Sequence, residues 1–437
     1  MLTGGFGGLH YPAPGGAPGR AVVEATGDVT EEGRPDRRPI GRRAAAGVAI
    51  AGLAVLALIV GTLTLGSPSG AHSTATPPGD TPGGSSTSDT GPTPSAVPPT
   101  PSPTVPAPTP TAVALVPAPL TGVLVTEPAA IRHPIAVMID DHRGARPQSG
   151  FNSAAIIFQA PAEGGIPRYM LVFQDRIPTA VGPIRSARQY YIEWASEWTA
   201  MYVHFGGSPQ ALNTLRVDGH GQLVWNADGF RWSPTYMWRN HSRPAPHNVY
   251  TDGTHLRDLA RRIDAADGPI DPAFDFAPID AAVRPVGNTI SVFYPYETVV
   301  MKYDPVRNAY LRYIDGSKKP QLDAADKQPV APTNVVVLRM HFGPLTPNDP
   351  HHRLEAADIG KGDAWIATGG MAIHGSWRKK SATAPIELFD SKGNPVSLQP
   401  GQTAIEVITL DYGYKIVQGK LPAPPPSRII DGANAPA

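Results

Sequence analysis

An uncharged apolar run from Ala44 to Leu65 constrains this chain most, because its 22 residues would span roughly 33 Å as a helix. That length matches the hydrocarbon core of a bilayer, so we predict a transmembrane helix over residues 44–65. Four arginines lie just before the run, and no lysine or arginine occurs between Ser67 and Ile131. The positive-inside rule therefore places the N-terminus in the cytoplasm and the rest of the chain outside. A cleaved signal peptide is the alternative, but the run is longer than the usual apolar region of about 7 to 15 residues.

Three further segments lack the periodic apolar pattern of a folded core. We predict a disordered cytoplasmic tail over residues 1–43, a Pro/Ser/Thr-rich stalk over 66–117 and a disordered tail over 423–437. Prolines favour extended polyproline II, so at about 3 Å per residue the stalk would reach as far as roughly 150 Å from the membrane. The folded module is expected between the stalk and the C-terminal tail.

Composition excludes several classes of site and partner. Lysine plus arginine and aspartate plus glutamate both number 37, so there is no basic excess of the kind that binds nucleic acid. The chain has no cysteine, which excludes disulfides, a thiolate nucleophile, cysteine-ligated zinc and a lipid-modified cysteine. We predict a membrane partner, no nucleic-acid partner and no cofactor.

The first half of the module, residues 118–275, has the pattern of an α/β or α+β domain. Apolar runs predict buried strands at 135–139, 154–158, 169–173 and 201–205. Helices are predicted from Ser186 to about Trp198, from Ser208 onward, and over 256–263. Ser186 and Gln189 have the spacing of a capping box, and Ser208 precedes a proline at the first helical position.

The second half, residues 288–422, has a different pattern. Eight short apolar segments between residues 289 and 410 alternate with turn signals such as the one at 390–394. This pattern predicts a mostly antiparallel β domain, with the boundary between the two domains near residues 275–287.

Polar residues follow the first predicted strand, where open α/β sheets place ligand sites. The cluster contains Asp140, Asp141, His142, Arg146, Gln148 and Ser149. Paired carboxylates beside a histidine are suited to binding a divalent cation or to sharing a proton in acid–base chemistry. The alternative is a surface turn in which Asp140 caps backbone amides and pairs with Arg146.

Two more clusters carry carboxylate and guanidinium groups. Glu163 stands beside two glycines and close to Arg168, either at a ligand or in a hairpin turn. Arg185, Ser186 and Arg188 stand at a predicted helix start, where the dipole disfavours cations. The arginines there require a partner carboxylate such as Asp140 or Glu163, or else an anionic ligand.

The remaining candidates are glycines, histidines and an aromatic segment. His204, Gly206, Gly207 and Ser208 resemble an anion cradle, although Ser208 also suits a helix cap. His247 and Asn248 complete the set, and His142, His204 and His247 would have to converge to bind a metal, against the alternative that they are structural residues. No metal is predicted. Trp365, Trp377 and residues 378–380 form either an aromatic–basic face or part of the core.

These motifs together resemble a known family. They are PLTG at 119–122, AVMID at 136–140, RPQSG at 146–150, EGG at 163–165, VGPIRSAR at 181–188, GGSPQ at 206–210 and PHN at 246–248. In the second half, Asn334 to Val337, Gly369, Trp377 and PGQT at 400–403 continue the likeness. The chain is similar, over roughly residues 119–408, to the YerB-type lipoprotein family, the domain of unknown function 3048. The resemblance implies an exported, envelope-associated protein of two domains and brings no established reaction. Because the chain lacks cysteine, the predicted helix would replace the lipid anchor.

Three hypotheses of function follow. The leading one is a binding or scaffold protein that holds an anionic group of a cell-wall polymer or envelope protein in a cleft formed by Arg146, Arg168, Arg185 and Arg188. The second is a hydrolase or transferase acting on a glycan or phosphodiester, with Asp140 and Glu163 as acid–base groups or metal ligands. The third is a buried structural network in which the arginines neutralise these carboxylates and no ligand binds.

Overall fold

The computed structural model describes residues 114–216 and 223–421. The predicted cytoplasmic tail, transmembrane helix and C-terminal tail lie outside the described residues, as does the stalk up to residue 113. Within the described ranges, no helix is both long enough and apolar enough to cross a membrane.

The described chain forms an α+β fold that is mostly sheet. Its strands are β1 Leu115–Pro117, β2 Leu124–Thr126, β3 Ile135–Asp140, β4 Ile156–Pro161, β5 Pro167–Phe173, β6 Met201–His204, β7 Trp225–Asp228, β8 Trp238–Arg239, β9 Val249–Tyr250, β10 Thr289–Phe293, β11 Thr298–Asp304, β12 Ala309–Ile314, β13 Asn334–Met340, β14 Phe342–Pro344, β15 Leu354–Ala356, β16 Gly360–Thr368, β17 Met371–Lys379, β18 Glu387–Asp390, β19 Thr403–Thr409 and β20 Gly413–Val417. Its helices are α1 Glu127–Ala130, α2 Gln189–Ala195, α3 Pro209–Leu215, α4 Gly229–Trp232 and α5 Gly253–Arg262. Short 3-10 helices occupy Arg143–Ala145, Phe151–Ser153, Glu163–Gly165, Ser196–Trp198 and Ala281–Val283.

One mixed sheet of ten strands draws on both halves of the sequence. Its strand order is β18-β17-β16-β13-β19-β4-β5-β3-β6-β7. β19 pairs in parallel with β4, so that Thr403 lies opposite Ile156, and it also pairs in parallel with β13. The ten-stranded sheet therefore contains strands from both sides of the predicted boundary near 275–287.

The central strands of this sheet are covered on both faces. β3, β4, β5 and β19 are buried along their whole length, as expected for strands with a core on each side. Successive side chains of β3 enter different cores, with Val137 in one cluster and Met138 in the other. The first predicted strand thus shows an unbroken apolar run rather than an alternating one.

Different layers cover the two faces. The antiparallel sheet β12-β11-β10-β20 contributes Ile290 and Met301 to the cluster that contains Val137. Helix α2 contributes Tyr191 and Trp194 to the cluster that contains Met138. The long sheet is therefore packed between a second sheet and helical segments, and its strand ends carry the polar residues of interest.

The local predictions in the first half were partly correct. Strands were correctly predicted at β3, β5 and β6, and Ser208 caps α3 as expected, because its side chain accepts from the Ala211 N–H at 3.3 Å. The capping box at Ser186 was wrong. Helix α2 begins at Gln189 with Arg188 as its N-cap and no side-chain cap. Residues before it are extended instead, because Ala187 forms a bridge with Gly207.

Candidate functional site

Asp140, the last residue of β3, holds three segments of the chain together. Its Oδ2 accepts from His247 Nδ1 at 2.6 Å and lies 3.2 Å from Arg185 Nε. Its Oδ1 accepts from the His142 N–H at 3.0 Å, so this aspartate also caps its own loop, as the turn interpretation expected. The predicted Asp140–Arg146 pair is wrong, because Arg146 binds the neighbouring Asp141. We call Asp140, His142, Arg185 and His247 the dyad site, after the hydrogen-bonded pair Asp140 and His247.

The hydrogen bonds of the dyad site fix the tautomers of its two histidines. His247 donates from Nδ1 to the carboxylate, which leaves a lone pair on Nε2 of the neutral ring. His142 accepts the Gly144 N–H at Nδ1 over 3.0 Å, so its own proton lies on Nε2. The two rings stack with centroids 4.5 Å apart and an interplanar angle of 10°. The pair therefore offers one donor and one acceptor side by side, and neither Nε2 has a hydrogen-bond partner among the described residues.

The loop that carries His247 is bound to the loop after β3. Arg243 donates to the carbonyl oxygens of Ala145 and Pro147 at 2.5 and 2.9 Å. Asn248 donates to the Arg243 carbonyl at 3.2 Å and accepts from Arg239 at 2.7 Å. The predicted residue Asn248 thus positions the loop that carries His247, because both ends of its side-chain amide are hydrogen-bonded within the protein.

Arg185 differs from the other three arginines of the predicted cleft. Its one contact among the described residues is Nε beside Asp140, and its side chain is 25% exposed. Its two terminal nitrogens therefore make no hydrogen bond within the part of the chain that the structure describes. They remain available as paired donors next to His247.

Arg168 and Arg188 both bind Glu163, the acid at the tip of the β4–β5 hairpin. Arg168 Nη2 lies 2.6 Å from Oε1, and Arg188 Nε donates to Oε2 at 2.9 Å while its Nη2 also contacts Oε1. Burial would raise the pKa of Glu163, but the attraction of the two guanidinium groups outweighs it and the pKa is lowered. Glu163 is thus an ionised hairpin residue held by two cations that are 8% and 5% exposed.

Arg146 belongs to a different group of charges in the interior. Its Nη2 lies 3.0 Å from Asp141 Oδ1, and it also pairs with Glu297, which precedes β11. Gln159 of β4 donates to the other Asp141 oxygen at 2.8 Å, and Gln148 donates to the Asp140 carbonyl at 3.0 Å. Asp141 and Glu297 have fully buried side chains, so this arginine is occupied on the inner side of the loop.

The interior group continues into the second half of the chain. Arg312 of β12 lies 3.8 Å from Glu297 and 3.9 Å from Glu406 of β19, and the Tyr294 hydroxyl donates to Glu406 at 2.9 Å. Burial raises the pKa of both Asp141 and Glu406 to about 7, against the attraction of the neighbouring arginines. We call Asp141, Arg146, Glu297, Arg312 and Glu406 the interior network.

The other predicted residues are structural in this geometry. His204 is fully buried between the Gly206 carbonyl and Asn226 Oδ1, each 2.8 Å from a ring nitrogen, so it does not join His142 and His247. The backbone N–H of Ser149 donates to the Gly182 carbonyl, and the Ser186 carbonyl accepts from Arg168. The described residues contain no group of three or more histidine, aspartate or glutamate side chains placed to hold a metal.

The aromatic–basic segment does not form a shared face. Trp377 is 2% exposed and donates to the Arg339 carbonyl at 2.9 Å. Lys379 is fully buried and pairs with Glu197 at 3.2 Å. The core interpretation is therefore correct for these two residues.

Sequence reasoning missed Glu297, Arg312 and Glu406. The available signal was a charged residue within an apolar strand, as Arg312 in AYLRYI and Glu406 in TAIEVIT. An internal charge of this kind indicates a buried partner, since isolated buried charges are strongly disfavoured. Nothing in the sequence identified which partner.

Family models match most of the described chain. The N-terminal domain of the protein of unknown function DUF3048 matches residues 120–266, and its C-terminal domain matches residues 290–405. The chain belongs to the DUF3048 family. It is 28% identical over 301 residues to "Putative lipoprotein YerB" of Bacillus subtilis (strain 168), a match that covers 67% of this chain and 86% of that protein. The crystal structure of YerB from Bacillus subtilis is similar with a TM-score of 0.61 and 26% identity, over 69% of this chain and 99% of that one.

Proposed function

We propose that this DUF3048 protein is a membrane-anchored, extracytoplasmic protein that binds an anionic group of a cell-wall polymer or envelope partner at the dyad site. The observation that carries the proposal is Arg185, whose terminal nitrogens have no partner among the described residues while its Nε lies beside Asp140. The His142 Nε2–H supplies a further donor on the ring that stacks against His247. A phosphate or carboxylate fits such a set, because guanidinium groups bind these anions through two parallel hydrogen bonds.

The location part of the proposal rests on the sequence and on the relative. A protein 28% identical is named as a lipoprotein, which is a membrane-attached class. This chain has no cysteine to carry a lipid, and residues 44–65 have the length and composition of a membrane-spanning helix. We infer that this segment anchors the protein with its N-terminus in the cytoplasm, and that the α+β module stands outside at the end of the 66–117 stalk.

The proposed ligand site keeps only one of the four arginines of the predicted cleft. Arg146, Arg168 and Arg188 are engaged by Asp141, Glu297 and Glu163, so they stabilise the module instead of binding the ligand. Breaking those pairs would expose buried charges at a cost of several kcal/mol. Arg185 alone among the four has both terminal nitrogens without a partner in the described chain, and the ligand would be held there.

The test is binding of polyphosphate and of purified anionic wall polymer to the full chain in detergent micelles, measured by calorimetry. Each charge-assisted hydrogen bond contributes about 1.5 to 3 kcal/mol, so Arg185→Gln is expected to weaken binding roughly 10- to 100-fold. The matched control is Arg378→Gln, an exposed arginine paired with Glu387 on β18. Equal affinities for wild type, Arg185→Gln and Arg378→Gln would refute anion binding at the dyad site.

A second candidate function is favoured by the Asp140–His247 hydrogen bond. A carboxylate that orients a histidine and leaves Nε2 with a lone pair is the arrangement of a general base. In such a hydrolase or transferase His247 would act as the base, since Glu163 is already held by two arginines. Cleavage of a wall glycan or phosphodiester that His247→Gln abolishes and Arg378→Gln retains would support it.

A further inference from the structure

A cavity lies where the β1–β2 hairpin meets both halves of the module. Its volume is about 440 Å³, and its lining includes Val123, Asn152, Asp175, Arg176, Thr333 and Gln402. None of these residues belongs to the dyad site or to the interior network. We call it the hairpin cavity.

Asp175 is the unusual residue of the hairpin cavity. Its side chain is only 4% exposed, and its Oδ1 is buried without a hydrogen-bond partner among the described residues. The neighbouring Arg176 Nε stays 3.9 Å from Oδ2, while its terminal nitrogens donate to the Asn152 and Ala154 carbonyls at 2.8 and 3.1 Å. A buried carboxylate oxygen without a hydrogen-bond donor is energetically costly. A ligand that donates a hydrogen bond to Asp175 would remove this cost.

Apart from Arg176, whose terminal nitrogens already donate to backbone carbonyls, two amide side chains of the hairpin cavity also offer acceptors. Gln402 spends its amide nitrogen on the carbonyls of Phe151 and Ala154, both at 2.6 Å, which leaves its side-chain oxygen without a bond in the described chain. Asn152 likewise donates its amide to Asp326 at 3.0 Å, and its oxygen makes no bond there. Carboxylate and amide oxygens on residues that line one cavity are suited to a cationic donor.

Apolar side chains supply the rest of the recognition surface. Val123 and Val125 of the hairpin line the cavity beside these acceptors. An aliphatic wall next to an acidic group matches a side chain with a methylene stem and a charged tip. An ammonium offers three donors, which equals the number of free oxygens from Asp175, Gln402 and Asn152.

We propose that the hairpin cavity binds a primary alkylammonium group of the kind that a lysine side chain of a peptide carries. The ammonium donates to Asp175 and the two amide oxygens, and the methylene stem packs on Val123 and Val125. The protein thereby holds a basic peptide group close to the point where its predicted stalk ends.

The test uses the full chain in detergent micelles, titrated with Nα-acetyl-lysine amide and with Nα-acetyl-norleucine amide, which lacks the ammonium. The lysine compound is expected to bind at least tenfold more tightly than the norleucine compound. Asp175→Asn should remove that difference, whereas the matched variant Asp411→Asn, at an exposed aspartate outside the cavity, should keep it.

Equal binding of the two compounds, unchanged binding by Asp175→Asn, or binding of an N-acetylglucosamine oligomer instead would overturn the proposal. If Asp175→Asn does not fold, Val125→Lys tests the same point. A tethered ammonium at residue 125 should fill the cavity and block the lysine compound, and undiminished binding by this variant would also refute it. Because none of these probes is an anion, failure here leaves anion binding at the dyad site to be judged separately.

Discussion

Asp140 and Asp141 are neighbours in the sequence at the end of β3, yet they lie in different environments. Asp140 meets a histidine, an arginine and a backbone amide beside solvent-accessible imidazole rings. Asp141 is fully buried against Arg146 and Gln159, in a group that continues to β19. The same residue type therefore takes part in a site that borders solvent in one case and in the interior network in the other.

The difference between them follows from the cost of burial. A buried charge must be paired and fully hydrogen-bonded, and removing one partner costs several kcal/mol. Asp140 is itself only 4% exposed, but its partners Arg185 and His247 are 25% and 15% exposed, so water can replace them at a lower cost. The interior network is therefore expected to govern stability, and the dyad site is expected to govern binding.

Arg312→Met gives the largest expected effect. The change removes the cation next to Glu297 and Glu406, whose side chains are 0% and 2% exposed, so the free energy of unfolding should fall by about 3 to 5 kcal/mol. Urea denaturation of the full chain in micelles measures it. The control Arg378→Met, at an arginine 45% exposed, should change the free energy by less than about 1 kcal/mol. Similar losses in both variants would remove the distinction between interior and surface.

Glu406→Gln tests the interior network through pH. Burial raises the pKa of Glu406 to about 7, so the folded chain binds a proton more readily than the unfolded chain, whose pKa is near 4.3. The associated stability is present below about pH 4 and is lost as the pH rises through about 7. Between pH 5 and pH 8 the wild type should lose on the order of 2 kcal/mol more than Glu406→Gln. Parallel pH curves for the two proteins would show that Glu406 does not take up this proton.

Glu163→Gln should have the opposite pH signature. Its two arginines lower its pKa, so its stability is present above the unfolded value and is lost as the pH falls through the folded pKa. At neutral pH the variant leaves Arg168 and Arg188 without an anionic partner and should lose about 1 to 3 kcal/mol. Thermal unfolding at pH 7 and pH 3 gives both values, and a variant that loses more stability than wild type on acidification would contradict this assignment.

His247→Gln should have the smallest effect on folding. Arg185 and the His142 N–H still contact the buried Asp140 in this variant, so the free energy of unfolding should fall by about 1 kcal/mol. Polyphosphate binding, measured in the same preparation, should weaken less than in Arg185→Gln, because His247 presents a lone pair and not a donor at Nε2. A loss of 3 kcal/mol or more would place His247 with the interior network instead.

Much of the local structure was predictable from the sequence. Unbroken apolar runs identified β3, β5 and β6, and a serine before a proline identified the start of α3. Arg185 and Arg188 meet Asp140 and Glu163, which the sequence offered as one of two alternatives, although the helix begins only at Gln189. These signals depend on residues within a few positions of one another.

The candidate sites were predictable only in part. The sequence named Asp140, His142, Arg185 and His247 and offered an Asp140–Arg185 pair as one alternative. It gave no signal that His247 binds Asp140, and it placed Arg146 with the wrong aspartate. It offered no signal for Asp175, whose importance depends on the cavity around it. Spacing along the chain does not encode which distant loops lie against each other.

The sequence alone determined the apolar segment at 44–65, the Pro/Ser/Thr-rich composition of residues 66–117, the strand-rich second half and the family resemblance. Tertiary structure decided that β19 lies between β13 and β4, which joins both halves in one sheet and brings Glu406 to the interior network. The physical reason is the range of the interactions. Hydrophobic periodicity and caps act over a few residues, whereas the pairing of buried charges and the filling of cavities depend on segments more than a hundred positions apart.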